Sequence, residues 1–114
     1  TKDGTCIRDF IHVMDLADAH IRGLKFLNCD NNLGIRNINI GTGIGTSILS
    51  LINKFCSVNN CEVPYSFSSR REGDTSILIA NNTLALNLLG WSPKKNLTDM
   101  CKDGWNWNCK KEDF

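Results

Sequence analysis

Near its start the chain changes hydrophobic period once, at about Val13, and this switch constrains the fold more than any other feature. Arg8 to Val13 reads as a short extended segment. Beyond it, Leu16, Ala17, Ala19, Ile21, Leu24 and Leu27 recur at steps of three and four residues, the spacing of a helix with one buried face. Asp15 and Asp18 place negative charge at the start of that helix, where it complements the helix dipole. A strand that feeds directly into a helix of this length predicts an α/β arrangement.

The rest of the sequence continues in the same manner. Cys29 to Arg36 is rich in turn formers. Ile35 to Ile40 alternates apolar and polar residues and predicts a half-buried strand. The turn Gly41-Thr42-Gly43-Ile44-Gly45 follows, then a helix capped by Thr46 or Ser47 with Ile48, Leu51, Ile52 and Phe55 inward. Glu62 to Phe67 predicts a short strand, demoted toward an edge by Pro64. Ser68 to Asp74 is a charged loop, and Ile77 to Ile79 is extended. Asn82 or Thr83 caps a helix ending at Leu89, with Gly90 as its left-handed stop. Asn96 and Asp99 have the spacing of a capping box for a last helix carrying Leu97, Met100, Cys101 and Trp105. Gly104 within it costs about 1 kcal/mol relative to alanine. The βαβ alternation is too short for a complete doubly wound sheet, so the pattern predicts a small mixed α/β lobe.

A chain of 114 residues has room for one domain. It begins at Thr1, from which a longer parent protein is expected. Thirteen basic against twelve acidic residues leave a net charge of +1, too balanced to argue for a nucleic-acid or membrane partner. The longest uncharged stretch, Asn37 to Asn53, is broken by glycines and is not a membrane span. Six cysteines invite a disulfide framework or a zinc site. Cys56-x4-Cys61 stands apart from His12 and His20, so no metal site is expected. Reduced cysteines serving as small apolar residues in a cytoplasmic protein fit better.

Two constellations could carry chemistry. The glycine turn lies between a predicted strand and a helix, as a dinucleotide fingerprint requires. However, Thr46 stands where that fingerprint needs Gly or Ala, and Glu62 starts a segment instead of ending one. Cofactor binding is therefore not expected there. The second constellation is Arg8-Asp9 together with the loop Arg70-Arg71-Glu72-Gly73-Asp74. Guanidinium forks match phosphate oxygens, and a neighbouring carboxylate can accept bonds from sugar hydroxyls. Residue types alone leave surface ion pairs as the alternative. His12 and His20 read as hydrogen-bonded structural groups.

The run Asp3-Gly4-Thr5-Cys6-Ile7-Arg8-Asp9-Phe10-Ile11-His12-Val13-Met14-Asp15-Leu16-Ala17-Asp18-Ala19-His20 resembles a block of UDP-glucose 4-epimerases. These are extended short-chain dehydrogenase/reductase enzymes, and the block begins their C-terminal lobe. The glycine turn, Arg-Arg-Glu-Gly-Asp, Leu89-Gly90-Trp91 and the closing tryptophans extend the resemblance to about Lys110. It implies that residues 1–114 are a partial domain. This would be the UDP-sugar-binding lobe of a Rossmann-type enzyme whose NAD-binding half, with its catalytic Tyr-x-x-x-Lys, lies outside this chain. The only tyrosine here is Tyr65, and no residue of this chain is expected to be catalytic or to hold NAD.

By the same resemblance, Arg8 and Arg71 contact the diphosphate of the UDP-sugar and Asp74 contacts its ribose. Phe10 stands where tyrosine is commoner, and Leu78 where the family sizes the sugar pocket. Trp91, Trp105 and Trp107 fall at packing or lobe-anchoring positions. The implied substrates are UDP-glucose and UDP-galactose, and the whole protein is implied to be a cytoplasmic homodimer. A related UDP-sugar decarboxylase or dehydratase, or a free-standing UDP-binding module, remains the alternative.

Overall fold

The computed structural model describes residues 1–29 and 34–110, so part of the expected turn after Cys29 lies outside the described residues. Three short strands form one sheet: β1 (Ile7–Asp9), β2 (Gly45–Ser47) and β3 (Ile77–Leu78). β1 is central, in the order β2-β1-β3, antiparallel to β2 and parallel to β3. Arg8 lies opposite Thr46 on one side and Leu78 on the other. Among the described residues there are four helices: α1 (Val13–Cys29), α2 (Ile48–Asn59), α3 (Thr83–Leu89) and α4 (Leu97–Lys110).

Local chemistry explains most of the boundaries. β1 is shorter than the extended run read from sequence, because the helix has already begun at Val13. His12 sets that start: its Nδ1 accepts the Met14 amide at 3.0 Å, leaving Nε2 to donate to Asp103 of α4 at 3.1 Å. Ser47 caps α2 by accepting the Ser50 amide. The capping box of α4 is reciprocal, with Asn96 and Asp99 each accepting the other's amide at 2.9–3.1 Å. Gly90 ends α3 at φ +58°, as its place in the sequence requires. Asn82 precedes α3 without capping it through its side chain. Its amide group donates to the Gly41 carbonyl, and Asn81 accepts the Thr83 amide.

Two predicted strands do not form. Ile35 to Ile40 has the right alternation, but none of the three described strands pairs with it, and without a paired neighbour the pattern makes no ladder. Ile38 and Ile40 instead rest against the core, while Ile35 is 94% exposed. Glu62 to Phe67 is irregular for the same reason, and Pro64 removes a donor besides.

The core gathers where α1 meets α3. Ala19, Ala85 and Trp91 are buried, with Ile11, Ile38, Ile40 and Leu89 against them. Trp91 is anchored by donation from Nε1 to the Asp15 carbonyl at 3.1 Å. The Asp15 carboxylate, itself buried, accepts the amides of Lys94 and Lys95 and so fastens the α3–α4 connector to the first turn of α1. Elsewhere α2 crosses α4 through Phe55 and Trp105, whose rings meet edge to face at 5.6 Å.

Not every expected contact is made. Ile21, Leu24 and Leu27 do not face inward: α1 turns Asp15 and Ala19 to the core and leaves these three, with Val13, more than half exposed. Trp107, expected to pack, is 70% exposed. The radius of gyration is 17.2 Å, against about 13 Å for a compact chain of about 100 residues. The lobe is thus an open one, 51 × 40 × 21 Å.

Two substitutions test this account by urea unfolding. Asp15→Ala strands two connector amides and is expected to destabilise the protein by about 1–3 kcal/mol. Gly104 lies inside α4, and an added methyl there meets nothing within 4 Å. Gly104→Ala is therefore expected to stabilise by about 0.5–1 kcal/mol.

Candidate functional site

Side chains alternate along β1, so Cys6 and Arg8 project to one side and Ile7 and Asp9 to the other. The two sides do different work. On the second, Asp9 meets the glycine turn. Its carboxylate accepts the amides of Thr42 and Gly43 at 2.9 Å each, the Ala80 amide at 3.2 Å, and the Thr42 hydroxyl. Gly43 has φ +74°. A Cβ at Gly41 would sit 2.5 Å from that of Ala80 and 2.7 Å from an Asp9 oxygen, so the approach requires glycine. Burial pushes the Asp9 carboxyl up, but the bonds from Thr42, Gly43 and Ala80 outweigh it and hold the group below the usual carboxylate range.

This geometry accounts for the sequence turn that resembled a dinucleotide fingerprint. Amides that would face a pyrophosphate in such a fingerprint are here taken by a carboxylate of the chain itself.

On the other side of β1 the arginine–aspartate constellation assembles. Arg8 Nη2 meets Asp74 Oδ1 at 2.5 Å, and its Nη1 donates to the Ile7 carbonyl at 2.8 Å. The second oxygen, Oδ2, accepts the Cys6 thiol at 3.2 Å and lies 4.0 Å from Arg71. Arg70 donates to the Asp74 backbone carbonyl at 2.6 Å, closing a loop that turns at Gly73, φ +76°. The Cys6 bond first, then the charges of Arg8, Arg71 and Arg70, hold the Asp74 carboxyl below its ordinary value against partial desolvation.

The four residues Arg8, Arg71, Asp74 and Leu78 thus gather about the β1–β3 edge. Arg8 and Leu78 line an open groove of about 340 Å³ with Asn39 and Ala80. Arg71 and Asp74 line a second, loop groove of about 550 Å³. Phe10 is not with them. It lines a separate, mainly apolar groove of about 400 Å³ with Ile44, Pro93, Leu97 and Met100.

Electrostatically, the Arg8–Asp74 pair nearly cancels, whereas the Arg71 side chain is 88% exposed and its guanidinium stays available to an incoming anion. Cys6 is the participant that sequence reading missed. Its position two residues before Arg8, on the same strand face, was the available signal. Among the described residues no group of three or more His, Cys, Asp or Glu side chains is placed to hold a metal.

No protein-family model matches the chain. Among curated proteins, a UDP-glucose 4-epimerase of Rhizobium leguminosarum bv. trifolii is 42% identical over 110 residues, 96% of this chain and 33% of that protein. The Bacillus subtilis UDP-glucose 4-epimerase is 44% identical over 107 residues, 94% of this chain and 31% of that one. The crystal structure of a UDP-glucose-4-epimerase from Stenotrophomonas maltophila, with bound NAD and formylated UDP-arabinopyranose, superposes with a TM-score of 0.90. It is 44% identical, over 98% of this chain and 33% of that chain. The Bifidobacterium longum UDP-glucose 4-epimerase, solved with NAD+ and UDP, gives 0.88 at 34% identity, over 96% and 32%. The chain spans about a third of the length of the curated relatives it matches.

Asp9→Asn tests the second face of β1. The carboxyl is depressed on folding, so its contribution is complete above the unfolded value of about 4 and fades as pH falls through the lower folded one. Near neutral pH the variant is expected to lose about 2 kcal/mol. Urea melts across an acid pH series should show that difference narrowing below about pH 4.

Proposed function

We propose that this chain, which matches the C-terminal part of UDP-glucose 4-epimerases, is the UDP-sugar-binding part of such an enzyme. The reaction is interconversion of UDP-glucose and UDP-galactose, in galactose metabolism. The observation that carries this reading is the meeting of Arg8, Arg71 and Asp74, from segments 66 residues apart, beside an open groove. Neither composition nor hydrophobic pattern demands that meeting.

In this reading Arg71 and Arg8 grip the diphosphate, Arg71 as the more exposed cation and Arg8 by dividing its fork between phosphate and Asp74. Asp74, kept ionised by its neighbours, accepts a bond from a ribose hydroxyl. Leu78 borders the Arg8 groove and faces the sugar, whereas Phe10 lines a separate groove and takes no part in this grip. Grip on the nucleotide end supports chemistry at the sugar end, because remote binding energy positions the reacting centre. NAD and the acid–base residues lie in the part of the protein outside this chain. The exposed stripe of Val13, Ile21, Leu24 and Leu27 on α1 supports a larger assembled enzyme, since apolar surface of that kind is normally covered. In this reading the whole protein is a cytoplasmic homodimer. No nucleic-acid or membrane partner is assigned, and no described helix is long and apolar enough to cross a bilayer.

UDP titration of the whole protein checks the reading. A lost charge-assisted bond is worth about 1.5–3 kcal/mol, so Arg71→Ala is expected to weaken UDP binding about 10- to 100-fold. Arg71→Lys should recover part of that loss. Unchanged affinity in both Arg71→Ala and Arg8→Ala would reduce the cluster to surface ion pairing.

A further inference from the structure

α2 ends in a turn that brings two cysteines together. Asn60 adopts φ +50°, and its amide donates to the Cys56 carbonyl. The Cys61 amide donates to the same carbonyl at 3.2 Å. The Cys61 bond is that of a Schellman cap and the Asn60 bond that of the simpler αL cap; in the Schellman arrangement the side chains of the two residues corresponding to Cys56 and Cys61 commonly make an apolar contact. Here the residues that close the cap are both cysteines. Each is a half-buried free thiol, and both line an open groove of about 510 Å³ with Ile52, Val63, Pro64 and Tyr65. Burial first, then the neighbouring Cys56, push the Cys61 thiol above the ordinary thiol value.

We propose that Cys56 and Cys61 are a modification site: a pair that closes reversibly into an intrachain disulfide by exchange with a small disulfide of the glutathione class. One cysteine, as its thiolate, attacks a sulfur of the small disulfide. A mixed disulfide forms and one small thiolate leaves. The second cysteine, also as its thiolate, then attacks the protein sulfur of that mixed disulfide and expels the second small thiolate. The cysteine pair loses two electrons, the small disulfide gains two, and the two cysteine protons end on the released thiols. The cap supplies the advantage, since the second attack comes from a thiol already held beside the first. Closure would fasten the start of the segment leading to Arg70–Asp74 to the end of α2. The site is independent of the nucleotide-sugar reading.

The other cysteines serve as internal comparisons. Cys29 and Cys109 are exposed, and Cys101 is buried. The test uses the native protein equilibrated with reduced and oxidised glutathione, trapped by rapid alkylation and mapped by peptide mass spectrometry. The expected result is a Cys56–Cys61 link with the loss of two hydrogens, while Cys29 and Cys109 carry mixed disulfides. The effective concentration of the pair is expected to exceed that in concentrated urea by about tenfold or more. Cys56→Ser should turn Cys61 into a mixed-disulfide site. Equal pairing in folded and urea-unfolded protein, or separate glutathione adducts on Cys56 and Cys61, would overturn the proposal.

Discussion

The position of β1 rests on one carboxylate. Asp9 gathers donors from the glycine turn and from Ala80, two residues beyond β3, and so ties together two segments far apart in the sequence. A three-residue strand forms few ladder bonds, so its neighbours need another source of order. Asp9 provides that at the open end of the sheet, while Ile7 fills the space against Gly45 and Ile79. Exposed ion pairs of the Arg22–Asp18 type contribute little by comparison. A partly buried carboxylate with four donors is different, because each unmatched amide would carry its own desolvation cost.

This anchoring has a direct consequence for the other face. With β1 fixed by Asp9 and Ile7, Cys6 and Arg8 have a defined direction, and the loop carrying Asp74 closes onto them. Arg8 and Asp74 are each about one-quarter exposed. They are accessible enough to exchange partners with a ligand, yet shielded enough for charge to matter. The cluster therefore follows from strand alternation: Ile7 and Asp9 brace the strand, and the interleaved Cys6 and Arg8 meet Asp74.

Local rules made much of this legible. Helix starts at Ser47 and Asn96, the stop at Gly90 and the turn at Gly73 follow from a few adjacent residues, and each is found where the sequence places it. That Asp9 occupies the amides of the glycine turn was not legible from the turn itself, because the carboxylate comes from a strand more than thirty residues earlier. What was not legible is long-range. Ile35 to Ile40 carries a strand pattern, yet pattern describes only one strand and a ladder needs two. The inward face of α1 was misassigned because two apolar stripes compete there, and Asp15, a polar residue, is on the buried one. Helical periodicity gives a stripe and leaves its partner unspecified.

Those two failures share a cause that bears on function. Ile21, Leu24 and Leu27 are apolar residues left exposed, and the Ile35 to Ile40 segment, although Ile38 and Ile40 touch the core, has no ladder partner among the described residues. A chain that folded only for itself would gain by making such positions polar, since exposed apolar surface adds nothing to its own stability and invites association. The superposed enzymes are about three times as long as the matched region. Apolar pattern without a local partner is what a segment of a larger fold would carry. Arg8 and Asp74 by contrast pair with each other within the lobe, so the polar cluster and the uncovered apolar surface are built by separate sets of residues.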